Sequence, residues 1–163
     1  MAKPKSKSSE PNSTPSPVGE ANTLGLHHLV LGWTALIVFL ALGLTLELLH
    51  AFKSEFYLDD RVGMRRMMWT LAHSHGTLFA LIHIAFGVTL RVLPTFPLGM
   101  ARIASGGLWA GLLTMPTGFF LGGIWLHDGD PGLGVIAVPV GALAMVIGCI
   151  FAAAGLSRAQ KQN

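Results

Sequence analysis

Five side chains that could bind a metal or move a proton lie near the ends of apolar segments in this sequence. They are Glu47, His50, His73, His75 and His127. Imidazole and carboxylate groups together suit zinc, iron, copper or manganese, and histidine also exchanges protons near neutral pH. Each such group costs free energy in an apolar environment unless a partner satisfies it. Their function therefore depends on which elements of the chain supply partners.

The elements that must position these side chains are long apolar helices. The chain has 163 residues, of which 52% are hydrophobic and 12% charged; this is about half the charged fraction of an average soluble domain. Four apolar stretches are long enough to cross a bilayer as helices, which takes about 20 residues. They cover residues 26–50, 66–91, 101–126 and 133–156. The sequence therefore predicts an all-α, four-helix transmembrane bundle in a lipid bilayer.

The stretch before the first predicted helix has a different composition. Residues 1–23 are rich in Lys, Ser and Pro and carry no apolar repeat, which is typical of a disordered tail. The predicted organisation is a disordered N-terminal tail over 1–23, a transmembrane domain over 24–158 and a short C-terminal tail over 159–163.

Basic residues predict the orientation of this bundle. On the side of the two termini lie Lys3, Lys5, Lys7, Arg91, Arg102, Arg158 and Lys161, and on the other side lie Lys53, Arg61, Arg65 and Arg66. Cytoplasmic loops carry the excess of Lys and Arg. We therefore expect a multi-pass protein of the cell inner (plasma) membrane with both termini in the cytoplasm.

This topology gathers the five candidate residues in the extracytoplasmic half of the bundle, because the first and third helices end there and the second begins there. Within the second helix, His73 and His75 point about 160° apart, so we expect them to face different grooves. His73 shares its face with four small residues, which leave room for a ligand or a close helix and favour His73 as the functional histidine. These residues are Gly76, Thr77, Ala80 and Gly87.

Three chemical interpretations of this cluster remain open. A transition metal could be held by Glu47, His50 and His73, since Glu47-Leu-Leu-His50 has the Glu-x-x-His spacing of di-iron bundles; the helices lack the further carboxylates of such a site. A b-type haem would need His73 or His75 together with a histidine such as His50 or His127 as axial ligands. Proton chemistry, as in a small membrane isomerase or a proton-coupled transporter, is the third.

A structural role is the alternative to all three. Polar side chains join membrane helices by hydrogen bonds worth about 1 kcal/mol or less each, and an assembly protein could use its histidines, or a Glu47–His73 pair, in this way alone. We expect such an inter-helix hydrogen bond at His83. The histidines at 27 and 28 are expected at the membrane interface, and His127 in a tight turn.

Glycine is concentrated in the third and fourth helices. Small residues let membrane helices approach closely, so we expect two glycine stripes to pack together, within one chain or across a homo-oligomer; a partner membrane subunit is a further expectation. One stripe falls within about 60° of a helical wheel, and the other repeats every seven residues, which keeps one seam toward a partner. The stripes are Gly107, Gly111, Gly118 and Gly122, and Gly134, Gly141, Gly148 and Gly155. We expect Pro116 and Pro139 to kink their helices.

Several function classes are excluded by what the sequence lacks. No glycine-rich phosphate loop follows a strand, so neither nucleotide binding nor nucleic-acid binding is predicted. Cys149 is the only cysteine, which excludes an intramolecular disulfide and a multi-cysteine metal centre.

One helix carries a resemblance to known proteins. The segment LAHSHGTLFALIHIAFG, which begins at Leu71, resembles the A-H-x-x-G-x-L helix of small four-span proteins related to hydroxylaminobenzene mutase. It is also similar to the histidine-bearing helices of the haem–copper oxidase subunit I group, whose other spans and copper-site histidine pair have no counterpart here. The resemblance implies a four-helix membrane bundle with His73, His75 and Gly76 near a functional pocket.

Overall fold

The computed structural model describes residues 16–58 and 63–161, and nearly all of these residues are helical. The helices are α1 (Pro17–Ala51), α2 (Glu55–Leu58), α3 (Met64–Val92), α4 (Leu98–Gly122) and α5 (Ala137–Gln160), with a 3-10 turn at Leu133–Ile136 before α5. The predicted all-α class is confirmed. Three segments are long and apolar enough to cross a membrane, namely α1, α3 and the segment Leu133–Gln160.

The N-terminal boundary of α1 corrects the sequence prediction. Residues 17–23 of the predicted disordered tail form the first turns of this helix; residues 1–15 of that tail lie outside the described residues. The helix begins here because Ser16 caps it, its hydroxyl accepting the N–H of Gly19 at 3.2 Å. Pro17 occupies the first helical position, where a missing N–H costs nothing.

The four long helices form two antiparallel pairs, α1 with α3 and α4 with α5, and the pairs are joined where α3 packs on α4. We call the end that holds the start of α1 and the start of α4 the first end, and the opposite end the second end. At the first end, Arg102 of α4 forms an ion pair with Glu20 of α1, with Nε 2.8 Å from the carboxylate. This contact helps to hold the early turns of α1 against the bundle.

The predicted contact between the glycine stripes of α4 and α5 is confirmed within one chain. A Cβ added at Gly107 would lie 2.7 Å from the backbone nitrogen of Gly148, and one at Gly141 would lie 2.6 Å from that of Met115. A Cβ carbon cannot approach a backbone atom so closely, so these positions let the two backbones touch.

α1 and α3 meet along a second seam of small residues. A Cβ added at Gly25 would lie 2.9 Å from the carbonyl oxygen of Gly87, and one at Gly32 would lie 2.8 Å from that of Ala80. The small residues of α3 singled out in the sequence therefore face protein, as expected. The two seams hold each helix pair close enough for polar side chains to meet between helices.

The second end is closed by side chains of α3 that bind the last carbonyls of α4. Arg65 Nε donates to the carbonyl of Gly123 at 3.0 Å, and Trp69 Nε1 donates to that of Phe120 at 3.0 Å. Carbonyls at the end of a helix lack their usual partner four residues on, and a cation there also suits the helix dipole. Trp69 is buried, and the ring of Tyr57 from α2 stacks over it with the ring centroids 6.2 Å apart.

The start of α5 differs from the predicted fourth helix. Pro139, expected to kink it, lies in the first turn of α5, where its missing N–H would have no helical partner. The 3-10 turn at Leu133–Ile136 takes up the beginning of the predicted span. Pro116 does lie inside α4 and is buried.

Candidate functional site

A cavity of about 800 Å³ lies between α1 and α3 at the second end and opens to the surroundings of the bundle. Its polar lining includes Glu47, His50, Arg66, Thr70 and His73, with Tyr57 from α2. The apolar part of its wall includes Leu40, Leu44, Leu46, Met67 and Leu71. We call this space the α1–α3 cavity. Its polar groups lie beside a hydrocarbon wall, which is the lining that an amphipathic small molecule requires.

The α1 wall follows from helical spacing. Gly43, Glu47 and His50 lie at successive turns of one face, because residues three and four apart are neighbours on a helix. A Cβ at Gly43 would lie 2.8 Å from Nδ1 of His73, so this glycine is what admits the imidazole of α3. Glu47 is therefore about one turn, roughly 5.4 Å along the axis, nearer the second end than His73.

His73 is held in one orientation by the backbone of α1. Its Nδ1 lies 2.7 Å from the carbonyl oxygen of Phe39. A carbonyl can only accept, so Nδ1 carries the hydrogen of this bond. In the neutral ring the lone pair then belongs to Nε2. The imidazole thus offers a ligand an acceptor in a fixed direction.

The charged groups of the cavity have no ion-pair partner among the described residues. Glu47 and Arg66 both line the cavity, yet they form no ion pair with each other. The ion pair found in the described part of the chain joins Arg102 to Glu20 at the first end. The described residues show no hydrogen bond between Glu47 and His73, the pair considered from the sequence; Nδ1 of His73 bonds the backbone of Phe39.

Two of the five predicted residues lie away from this cavity. His75 faces α4, where its ring packs against Phe119 at a centroid distance of 5.2 Å and its Nδ1 contacts the carbonyl of Leu71 at 2.9 Å. The expectation that His73 and His75 face different grooves is confirmed. His127 is exposed in the tight turn after α4, where its backbone bonds that of Asp130.

A second polar site, which the sequence did not predict, is buried nearer the first end. His28 of α1 and His83 of α3 share a hydrogen bond between their Nδ1 atoms at 2.8 Å, and Nε2 of His28 lies 2.8 Å from the hydroxyl of Ser105 in α4. Both histidines are fully buried and Ser105 is nearly so. We call these three residues the buried histidine network. Their bonds join three helices.

The burial of His28 corrects the prediction that it lies at the membrane interface. The predicted inter-helix hydrogen bond of His83 is confirmed. The sequence signal that could have indicated this burial was the spacing of glycines. Gly25 and Gly32 lie three and four residues from His28 and bring α3 within reach of its ring. Sequence alone did not identify Ser105, because it lies among small residues of α4 without any pattern of its own.

Neither site brings together the three donors of a metal centre. Within residues 16–58 and 63–161, no three His, Cys, Asp or Glu side chains form a group that could hold a metal ion. Glu47, His50 and His73 share a cavity without forming the predicted ligand set. A haem between His28 and His83 would require its porphyrin to lie between rings whose centroids are 4.7 Å apart and whose nitrogens already bond each other.

A groove between α4 and α5 differs from the α1–α3 cavity in chemistry. It has a volume of about 550 Å³ and is lined by apolar and small residues without a charged side chain, among them Leu113, Leu121 and Val140. Such a surface suits contact with hydrocarbon chains without selecting a head group. It provides an internal control for experiments on the cavity.

Comparison with protein-family models, with curated proteins and with solved structures finds no match for this chain. The one-helix resemblance to the hydroxylaminobenzene mutase group therefore stays a prediction.

Proposed function

We propose that this protein crosses the inner membrane four times and binds an amphipathic small molecule in the α1–α3 cavity. The ligand enters sideways from the bilayer, with its hydrocarbon part along the leucine wall and its polar part at Glu47, His50 and His73. The observation that carries the proposal is the joining of these polar groups and an apolar wall in one open cavity of about 800 Å³. That volume is within the range of small-molecule sites.

The length and position of α4 support a fourth crossing. Its 25 residues give a length of about 37 Å at about 1.5 Å per residue, which exceeds the roughly 30 Å of a bilayer core. It packs between α3 and α5, so it shares the environment of two apolar helices. Four crossings leave both termini on one side, and the larger number of basic residues there favours the cytoplasm.

A reporter fused after Asn163 tests this topology. We expect activity from a reporter that works in the cytoplasm and none from a reporter that needs export. A fusion at Lys53, in the connection between α1 and α2, should give the opposite pattern. Activity of the exported reporter at Asn163 would contradict the proposed orientation.

The orientation of His73 supports a second candidate, proton transfer on the bound molecule. The hydrogen on Nδ1 is held by Phe39, so Nε2 is the basic nitrogen, as a general base requires. An isomerisation of the bound molecule is the simplest reaction that such a base would assist. The resemblance of this helix to the mutase group is compatible with this candidate.

Native mass spectrometry of the full chain released from its own membranes tests the binding proposal. We expect a bound small molecule on the wild type and on Val140→Trp, which fills the control groove between α4 and α5. Thr70→Trp should lose the bound mass, because the indole would occupy the α1–α3 cavity. Thr70 is exposed in this cavity, so the variant does not disturb a packed core.

Two results would contradict the proposal. One is a wild-type protein without bound mass, or a Thr70→Trp variant that retains it equally. The other is a Soret band, or a stoichiometric metal in elemental analysis of protein purified without an affinity tag, because a haem or a metal would then be the bound group in place of an amphipathic molecule.

A further inference from the structure

Glu47 is a carboxylate inside an apolar stretch of α1. Its neighbours along the chain are leucines on both sides, in the segment LTLELLH. Among the described residues it makes no ion pair, and it lines the α1–α3 cavity. A carboxylate near hydrocarbon is costly unless a cation or a hydrogen-bond donor satisfies it. A bound ligand in the adjacent cavity could supply that cation or hydrogen-bond donor.

Thr70 and His73, which line the cavity with Glu47, both offer acceptors. The contact of Gly43 with His73 sets the antiparallel register of α1 and α3; one turn further along, this register brings Glu47 opposite Thr70. The hydroxyl of Thr70 can accept, and Nε2 of His73 carries a lone pair while Nδ1 is bound to Phe39. A carboxylate, an imidazole nitrogen and a hydroxyl together match the three N–H donors of an ammonium group.

Arg66 is the group in the cavity that would attract an anion instead. The same register places it opposite His50, one turn closer to the second end than Glu47. Arg66 and Glu47 are both exposed, so exposure does not distinguish them. Glu47 lies one turn deeper in the span and between leucines, closer to the hydrocarbon, and a carboxylate there gains more from a ligand of opposite charge.

We propose that the ligand of the α1–α3 cavity is an amphipathic amine whose protonated head group binds Glu47, His73 and Thr70 while its hydrocarbon chain lies along Leu40 and Leu44. The inference depends on the proposed function and names the chemical class of the ligand. Charge-assisted hydrogen bonds to the carboxylate provide the selectivity for the head group. The leucine wall accepts the chain irrespective of the head group.

Three photoreactive probes that share one twelve-carbon chain and differ only in the head group test this proposal. They are an amine, an alcohol and a carboxylic acid, each with a diazirine on the chain, added to the full protein in phosphatidylcholine nanodiscs. Labelling is quantified by peptide for the cavity and for the groove between α4 and α5. We expect the amine to label the cavity about tenfold more than the alcohol, which corresponds to one good charge-assisted contact.

The matched variants are Glu47→Gln and Glu55→Gln. Glu47→Gln should remove the excess labelling by the amine, because the amide keeps the shape and loses the charge. Glu55→Gln removes an exposed carboxylate of α2 that does not line the cavity and should keep the excess. In the control groove all three probes should label equally in every variant.

The outcomes separate the two proposals. Equal labelling of the cavity by all three probes, above that of the groove, would overturn the amine assignment and keep the cavity as an amphiphile site. Stronger labelling by the acid, or an amine excess that survives Glu47→Gln, would also overturn the assignment. Cavity labelling no higher than that of the groove for every probe would overturn the proposed function itself.

Discussion

The interface between α1 and α3 contains two histidine sites with opposite properties. Near the first end, His28 and His83 bond each other and Ser105 in a fully buried network. Near the second end, one nitrogen of His73 bonds the backbone. The ring lines an open cavity together with Glu47, which has no ion-pair partner among the described residues. The same residue type thus joins helices at one site and leaves an acceptor for a ligand at the other. The difference is that the polar groups of the first site mostly bond each other, although Nε2 of His83 has no hydrogen-bond partner within the described residues.

The largest expected effect comes from a substitution at the contact between α4 and α5. In Gly141→Leu the new side chain must enter the space occupied by the backbone of Met115 in α4, and we expect a loss of about 3 kcal/mol in the free energy of unfolding. Because α4 carries Ser105, the buried histidine network should loosen as well. Denaturation of the detergent-solubilised protein, followed by circular dichroism, measures this. An unchanged midpoint would show that the two backbones are not in contact.

The next effect shows whether His28 and His83 stabilise the protein as a coupled pair or independently. His28→Leu leaves a polar nitrogen of His83 buried without its partner, and we expect a loss of about 2 kcal/mol. The double variant His28→Leu/His83→Leu removes both imidazoles. It should be more stable than the single variant, because fewer buried nitrogens then lack a hydrogen-bond partner. If the two single losses simply add in the double variant, the histidines do not act as a pair.

A smaller effect of opposite sign checks the argument from glycine packing. Gly106 lies in α4 one residue from Gly107, but a Cβ added there meets nothing within 4 Å. Gly106→Ala should therefore stabilise the protein by about 0.5 kcal/mol through the lower backbone entropy of the unfolded chain. The same denaturation experiment serves. A loss of stability as large as that of Gly141→Leu would mean that glycine is needed in α4 for some reason other than close packing.

The smallest expected change in stability is at the cavity. Glu47→Gln alters an exposed carboxylate that has no protein partner in the described structure, so its effect should be within about 0.5 kcal/mol. A loss of about 2 kcal/mol would indicate that Glu47 holds the helices together, which would make the second site structural like the first.

Periodicity predicted the parts of the fold that depend on many residues at once. The predicted contact between the glycine stripes of α4 and α5 was correct, and so was the prediction that the small face of α3 packs on protein. Both follow because small residues must lie where backbones touch, as at Ala80 and Gly87. The start of α1 was missed because Ser16 and Pro17 form a capping signal inside a polar, proline-rich composition. Local chemistry outweighed composition at that point.

The candidate site was predicted in part, and for a physical reason. Glu47, His50 and His73 share a cavity because the helix register sets their height. His75 and His127 share the same height but not the same groove, and the sequence does not give the order of helices around the bundle. The burial of His28 depends on α4, whose Ser105 reaches it across the chain; no pattern within α1 shows that contact.

The most direct test measures ligand labelling and stability on the same two variants. Full-length Glu47→Gln and His28→Leu/His83→Leu are reconstituted in nanodiscs, labelled with the photoreactive amine and then unfolded. We predict that Glu47→Gln loses the cavity labelling and keeps the wild-type midpoint of unfolding, whereas the double variant keeps the labelling and shifts the midpoint. A folded double variant that loses the labelling, or a Glu47→Gln variant that keeps it, would contradict the division of the interface into a structural site and a ligand site.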